Sequence, residues 1–564
     1  MCSLTVKSIY LCLGLFSILG GTPPATAFAA PFAGSKVVHQ TFAAIPSTQS
    51  MPGNNMFSTR RVGDFPTRNE QIQVSRRSKE TRLSMALGFP RGGAAAAIQN
   101  AGATPQALFN TILAGLALTT AVIKVGQRLG SSSKSSGEGG TSEKSASVKS
   151  LQARFLSVFW LLRCSDWLQG PYFYEVYASK VFNGVPASLA LVSRLFLTGF
   201  ASTALFGPVV GRAADQYGRK KATLAFSIIY ALGALSTKSP VLMVLLLGRV
   251  LSGIGTSLLF SAPESWLVGA AQASNNQAAL GETFGLAYAG DSLVAIAAGQ
   301  MAGWAASQRG PTGPFELSTG FLALGGLLAA WLWKENKAQS SRQDGAEEKP
   351  SIGDAINVVK RDPKIMLVGA VQSLFESAMY IFVLQWPPAV AAAVAQQFGS
   401  NAVTPYGTVF SCFMASCLLG STLFGQLSKQ SIPTETSTTF MLSAATLAMT
   451  AATWAVRAAG GVTGMTTLPF LMAALFLFEA CVGMYFPSIG TLRSRYVPDS
   501  HRSVIMNLFG IPLNVLVVAV FLSINKLGVG GALTVSSAAL GVATLAMGRL
   551  WQQTRKSTDA AAAA

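Results

Sequence analysis

Several ionisable side chains lie within long apolar stretches of this sequence, where a charge is costly unless it is paired or hydrated. Arg249 is the strongest candidate for an anion ligand, because a guanidinium offers a planar fork of donors that suits a tetrahedral oxyanion. The alternative is a structural or coupling role for Arg249 within its helix. The whole set consists of Arg163, Asp166, Glu175, Arg194, Arg249, Asp291, Glu376 and Glu479.

Apart from Arg163, which is a second candidate ligand, the other members of this set are candidates for coupling or gating. Glu376 and Glu479 stand near the middle of their stretches, which is where a proton carrier would lie. The alternative for each is a carboxyl group that is hydrogen-bonded to a neighbouring helix. Glu175 and Arg194 stand nearer the helix ends, where they could form a gate pair or simply reach the membrane interface.

Arg163 and Asp166 are three residues apart, a spacing at which two helical side chains can pair. Asp166 could be a coupling carboxylate and Arg163 an anion ligand, or both could belong to a structural ion pair between helices. Neutral side chains nearby could donate or accept hydrogen bonds with a substrate, although interfacial anchoring and helix packing would use the same residue types. These neutral candidates are Gln169, Tyr172, Tyr174 and Gln385.

The composition places these residues in a membrane protein. The chain has 564 residues, of which 50% are hydrophobic and 12% charged, whereas a soluble domain carries about 25% charged residues. The formal net charge is +19. The basic residues fall in the N-terminal region and in loops between apolar stretches, a distribution typical of topology and targeting signals rather than nucleic-acid binding.

The sequence contains few of the residues and motifs that indicate a metal site, a cofactor site or covalent catalysis. It contains six cysteines, none in a CxxC pair, and only two histidines, His39 and His501. No G-x-S-x-G, HExxH or P-loop pattern occurs in a suitable context. We therefore predict no metal site, no cofactor and no enzymatic activity.

The N-terminal region has the character of a targeting sequence. Residues 1–27 combine a short apolar core with Ala25-Thr26-Ala27, which is typical of a secretory signal peptide. Residues 28–104 are basic and poor in acidic residues, like an organellar transit peptide. The junction ATAFAAPF resembles the bipartite plastid presequences of diatoms and related algae, which predicts a plastid envelope; a plasma membrane or an endomembrane is the alternative.

Apolar stretches then recur along the chain at a length that can cross a membrane. An isolated helix is predicted over 105–123, followed by a flexible linker over 124–150. Six spans are predicted within 151–334 and six more within 363–552, with a charged loop over 335–362 between them and a tail over 553–564. The twelve spans run near 153–177, 189–210, 222–236, 241–262, 280–305, 317–333, 365–390, 406–427, 436–456, 468–492, 504–524 and 529–550.

Lys and Arg set the orientation of these spans. They are concentrated in the loops that follow the second, sixth and tenth spans, so these loops are assigned to the inner, cytoplasm-like side. One such loop, GRAADQYGRKKATL at 211–224, resembles the loop signature of the major facilitator superfamily. Its residues with a conformational role are Gly211, Asp215, Gly218, Arg219 and Lys220.

Longer strings resemble a branch of that superfamily, the molybdate-anion transporter family. They are DWLQGPYFYEVY (166–177), GRVLSGIGTSLLFSAPESWL (248–267), LGETFGLAYAGDSLVAIAAG (280–299), VQSLFESAMYIFVLQWPP (371–388) and YFPSIGTLRSRYVP (485–498). The resemblance implies an all-α polytopic membrane protein with the major facilitator fold, two six-helix halves and one extra leading helix. The chain departs from the family pattern at Arg163, where the family is small or apolar, and at Asp291, where it is neutral.

The function that this resemblance implies is transport of a small oxyanion, molybdate, by alternating access, with protons as a candidate coupling ion. Two alternatives remain open at this stage. One is a transporter of another solute, such as sulfate, a sugar or an organic anion. The other is a receptor with the same fold that does not transport.

Overall fold

The computed structural model describes residues 104–132, 145–337, 352–430, 432–459, 467–498 and 501–563. The predicted signal peptide and almost all of the predicted transit sequence lie outside these residues. The parts of the linker at 133–144 and of the central loop at 338–351 lie outside them as well.

The first half of the bundle consists of helices joined by short turns. Ser145 and Ser188 cap two of these helices by accepting from the backbone N–H groups of Ser147 and Leu191. The helices are α1 (Pro105–Ser132), α2 (Ala146–Gln169), α3 (Phe173–Ala178), α4 (Leu189–Tyr217), α5 (Arg219–Ser236), α6 (Leu242–Leu259), α7 (Ala262–Ala273), α8 (Leu280–Arg309) and α9 (Gly313–Leu332).

Short elements link these helices. A 3-10 turn at Gly170–Tyr172, which contains Pro171, separates α2 from α3, and an antiparallel pair of strands, β1 (Val181–Phe182) and β2 (Val185–Pro186), precedes α4. Further 3-10 turns at Gln277–Ala279 and Gly310–Thr312 lead into α8 and α9.

The second half repeats this plan. Asp362 caps its first long helix, which has Pro363 at the first helical position. Gly528, with φ 61°, interrupts the last helix near its start. The helices are α10 (Ile352–Arg361), α11 (Pro363–Phe398), α12 (Tyr406–Lys429), α13 (Thr434–Ala459), α14 (Thr467–Tyr496), α15 (Arg502–Leu522) and α16 (Ile524–Ala563).

Ten helical stretches among the described residues are long and apolar enough to cross a membrane. One of them, Gln277–Leu332, contains two of the predicted spans. The two predicted spans outside this set are helical as well, as α2 with α3 and as α5. They are less apolar because α2 carries Arg163 and Asp166, and α5 begins with Arg219-Lys220-Lys221.

Equivalent pairs of helices pack against each other in the two halves. In the first half, α2 packs on α9, α4 on α6 and α5 on α6; in the second, α11 packs on α16, α12 on α14 and α13 on α14. The second six helices therefore have the same arrangement as the first six, as in membrane proteins that are built from two structural repeats. The leading helix α1 packs on α12, where Phe109 is fully buried and Gln106 donates to Thr408 at 2.8 Å.

The two halves meet toward the outer side of the membrane, opposite the basic loops. The Phe196 and Phe521 rings lie 5.2 Å apart between α4 and α15, and Phe200 and Tyr380 lie 5.1 Å apart between α4 and α11. On the other flank, the Ser411 hydroxyl of α12 donates to the Ile296 carbonyl of α8 at 2.8 Å. These contacts hold the outer ends of the halves together above the cavity described next.

Candidate functional site

A cavity of about 310 Å³, the central cavity, lies between the halves. Its walls are α4 and α6 from the first half and α11 and α15 from the second. Two of the charged residues predicted from the sequence, Arg249 and Glu376, line it from opposite halves. Its further polar lining comes from Thr203, Thr256, Tyr380 and Asn514, none of which the sequence analysis had selected.

Packing rather than a counter-charge positions Arg249. Its guanidinium carbon lies 4.5 Å from the centre of the Phe173 ring, and its Nε donates to the Leu195 carbonyl at 3.4 Å. Gly199 leaves room for the guanidinium, since a Cβ at that position would collide with Nη2. In the part of the chain that the structure describes, no ion pair joins Arg249 to a carboxylate, whereas Arg163, Arg219, Arg493 and Arg495 each have at least one.

Glu376 belongs to a polar network on the second half. Its Oε1 accepts from the Tyr485 hydroxyl at 2.9 Å and from Arg493 Nη2 at 3.1 Å. Arg493 also donates through Nε to Gln372 Oε1 at 2.9 Å. Arg493 directly follows the predicted tenth span, a position that predicts a charge of the inner loop. Its long side chain instead reaches back along α14 to the cavity wall.

The charged residues of α2 form a buried cluster inside the first half. Arg163 donates to Asp291 through Nε and Nη2, both at 2.9 Å, and Trp167 Nε1 donates to the same carboxylate at 2.8 Å. Arg163 Nη1 lies 3.6 Å from Asp166, whose carboxylate accepts from the Tyr230 hydroxyl at 2.5 Å. The guanidinium is thus already neutralised, which makes Arg163 a weaker candidate for an anion ligand than Arg249.

Two of the predicted residues line a second, outer pocket of about 650 Å³. Tyr172 and Glu175 contribute to its wall together with Gln106 of the leading helix. The Glu175 carboxylate accepts from the Tyr406 hydroxyl at 3.2 Å across the two halves. The structure forms no ion pair between Glu175 and Arg194, both of which it describes, and Arg194 is exposed.

The remaining predicted residues lie away from the central cavity. Gln169 donates to Ser318 at 2.9 Å within the first half, and Tyr174 is half-buried. Gln385 is fully buried, and neither of its amide atoms has a hydrogen-bond partner among the described residues. Glu479 is buried on α14 next to Cys417 of α12.

The basic loop ties α4 and α5 to the end of α9. Arg219 pairs with Asp215 at 3.0 Å, and the Lys220 side chain donates to the Ala330 carbonyl at 2.7 Å. Glu335 accepts from the backbone N–H groups of Lys220 and Lys221 at 2.9 and 3.0 Å and so caps the start of α5. Gly218 has φ 125°, a conformation that favours glycine, whereas nothing lies near a Cβ placed on Gly211.

Solved transporters share this fold at low sequence identity. The nucleoside transporter NupG aligns with a TM-score of 0.55 and 12% identity over 71% of this chain and 99% of its own. A bacterial homologue of the iron transporter ferroportin in an inward-facing state aligns with a TM-score of 0.51 and 14% identity over 71% and 98%. With the membrane helices and the cavity between two repeated halves, this likeness shows that the chain has the fold of these multi-pass membrane proteins.

Relatives with higher sequence identity show the family to which the chain belongs. A family described as sugar transporters with 12 transmembrane helices matches residues 108–478. The molybdate-anion transporter of Takifugu rubripes is 31% identical over 409 residues, 66% of this chain and 80% of the relative. That of Danio rerio is 31% identical over 392 residues, 65% and 77% of the two chains. The chain belongs to the molybdate-anion transporter family of the major facilitator superfamily.

Proposed function

We propose that this transporter carries a small tetrahedral oxyanion, with molybdate as its substrate, through the cavity between its halves. The observation that carries the proposal is Arg249, a guanidinium that faces the cavity without a carboxylate partner among the described residues. An unbalanced positive charge at membrane depth is costly on its own, and a bound anion would compensate it.

The cavity suits a small solute. Its volume of about 310 Å³ is at the lower end of the range of about 300–1,000 Å³ that ligand pockets occupy. The amide of Asn514 can donate to an oxyanion oxygen beside the guanidinium, whereas the hydroxyls of Thr203 and Thr256 already donate to backbone carbonyls. The name of the relatives, molybdate-anion transporter, supports the same solute.

Protons are the proposed coupling ion. Glu376 faces the same cavity as Arg249, from the opposite half. An acidic group in this position can take up a proton when the cavity opens to one side and lose it when the cavity opens to the other. Alternating access then requires the halves to rock about the cavity and separate the outer contacts between Phe196 and Phe521.

The proposed location is a plastid envelope, on the basis of the sequence of residues 1–104. A fluorescent fusion at the C-terminus of the full chain, expressed in an alga with a complex plastid, tests it. Fluorescence around the plastid supports the proposal, and fluorescence at the plasma membrane or an endomembrane contradicts it.

A sugar is the second candidate solute, because the matching family is described as sugar transporters. Uptake into proteoliposomes that contain the purified full chain separates the candidates. We expect saturable uptake of labelled molybdate at nanomolar concentration that persists with excess sulfate and is unaffected by glucose. Uptake of a sugar without molybdate would overturn the oxyanion proposal, and molybdate binding without uptake under a proton gradient of either sign would indicate a receptor.

A further inference from the structure

Arg493 does not line the central cavity itself, but it contacts a residue that does. Its Nη2 lies 3.1 Å from Oε1 of Glu376, which lines the cavity, and the Arg493 side chain is 27% exposed. Gln372 holds the guanidinium from a second direction by accepting from its Nε at 2.9 Å. Arg493 is therefore positioned next to the substrate path and is neutralised there by one carboxylate.

The charged and titratable groups around Glu376 come from three helices. Arg493 and Tyr485 face it from α14, and Tyr380 lies one turn further along its own helix, α11. Across the cavity, α6 contributes Arg249, while α15 contributes only the neutral Asn514 to the lining. Among the described residues, Glu376 is thus the carboxylate that faces both guanidinium groups.

The charge of this group depends on one proton. With Glu376 ionised, Arg249, Arg493 and Glu376 together carry a single positive charge. When Glu376 binds a proton, the carboxylate becomes a neutral carboxyl group and the three residues carry two positive charges. This balances a tetrahedral dianion such as molybdate or sulfate.

We propose that Arg493 is a second anion ligand, which ionised Glu376 holds and protonated Glu376 releases. The inference rests on the proposed oxyanion function and deepens it by naming the residue pair that links the anion to the proton. A proton from solution binds a Glu376 oxygen, the ion pair with Arg493 opens, and the guanidinium N–H groups donate to the oxyanion. When Glu376 loses the proton to the other side, the ion pair forms again and the anion leaves.

The test measures molybdate binding by the purified full chain across mildly acidic to mildly alkaline pH, because dilute molybdate remains a dianion throughout. For the wild type, linkage to one proton predicts that the dissociation constant rises by about tenfold per pH unit once Glu376 is ionised. Glu376→Gln should bind with the acidic wild-type affinity at every pH. Arg493→Ala should lose affinity at acidic pH and bind with little pH dependence, whereas Arg493→Lys should keep the pH dependence.

Glu435→Gln is the matched control. It removes a carboxylate that pairs with Arg495 at 2.6 Å, at the inner end of α13 and outside the cavity lining, and should retain the wild-type pH dependence. Size-exclusion profiles and thermal unfolding of each variant identify those that fold.

Persistent pH dependence in folded Glu376→Gln would overturn the role of the Glu376–Arg493 pair and leave the oxyanion function standing. A wild-type chain that binds molybdate at no pH would overturn both.

Discussion

Arg163 and Asp291 bind each other through two parallel hydrogen bonds of 2.9 Å, within the first half of the bundle. Each residue has an exposed fraction of 7%. The sequence predicts that both positions depart from the pattern of the family it resembles. A joint change at the two positions fits this geometry, because the charge at one position is balanced at the other.

The pairing of Arg163 with Asp291 predicts that substitutions at these two positions have strongly coupled effects on stability. Arg163→Ala alone should lower the free energy of unfolding by about 3–5 kcal/mol, because it leaves the buried Asp291 carboxylate without its partner. Asp291→Asn alone should cost less, because Asp166 still lies 3.6 Å from the guanidinium. The double variant should lose less stability than the sum of the two single variants. Thermal unfolding of the four purified proteins in detergent measures the coupling. Additive losses in the double variant would show that the pair does not act as a unit.

The two glycines of the basic loop should respond differently to alanine. Gly218 has φ 125°, and a Cβ there would lie 2.5 Å from the Glu335 carboxyl carbon, so Gly218→Ala should cost about 1–3 kcal/mol of stability. Gly211→Ala is the matched control and should be neutral or slightly stabilising, since α4 is helical there and the space is open. Equal melting temperatures for the two variants would contradict this assignment of the turn.

The close contact between α8 and α12 at the outer side predicts different effects of alanine substitution at two further glycines. A Cβ on Gly407 would collide with the Gly299 carbonyl, whereas a Cβ on Gly303 would lie 3.8 Å from its nearest neighbour. Gly407→Ala should therefore push the outer ends of the halves apart and slow substrate uptake severalfold, while Gly303→Ala should transport normally. Wild-type uptake by Gly407→Ala would show that this close approach is dispensable for transport.

Much of the fold could be predicted from the sequence, since long apolar stretches separated by polar turns determine where helices lie in a membrane. The basic loop between α4 and α5 also forms the Asp215–Arg219 pair that its residue types suggest. The helix rotations could not be predicted in the same way. Helices such as α11 and α14 are apolar on every side, so their sequences do not show which face meets the cavity.

The candidate site was therefore only partly foreseen. Arg249 and Glu376 were selected because charges at membrane depth are rare, and both line the cavity. Gln385 is a sequence candidate because its amide can form hydrogen bonds with a substrate, yet it is fully buried away from the cavity lining. Arg493 was missed because a charge at a helix end is read as a loop charge, although its side chain spans about one helical turn to reach Glu376.

The most direct test of the central claim is the affinity of Arg249 variants for molybdate, measured with labelled molybdate and the purified full chain. Loss of a hydrogen-bonded charge predicts that Arg249→Ala weakens binding by roughly 10- to 150-fold, equivalent to about 1.5–3 kcal/mol. Arg249→Lys should recover part of this affinity, because it keeps the charge without the planar fork. Arg457→Ala removes an exposed arginine that donates to Thr534 far from the cavity lining, and it should bind like the wild type. Wild-type affinity in folded Arg249→Ala would contradict the claim that this guanidinium is the anion ligand.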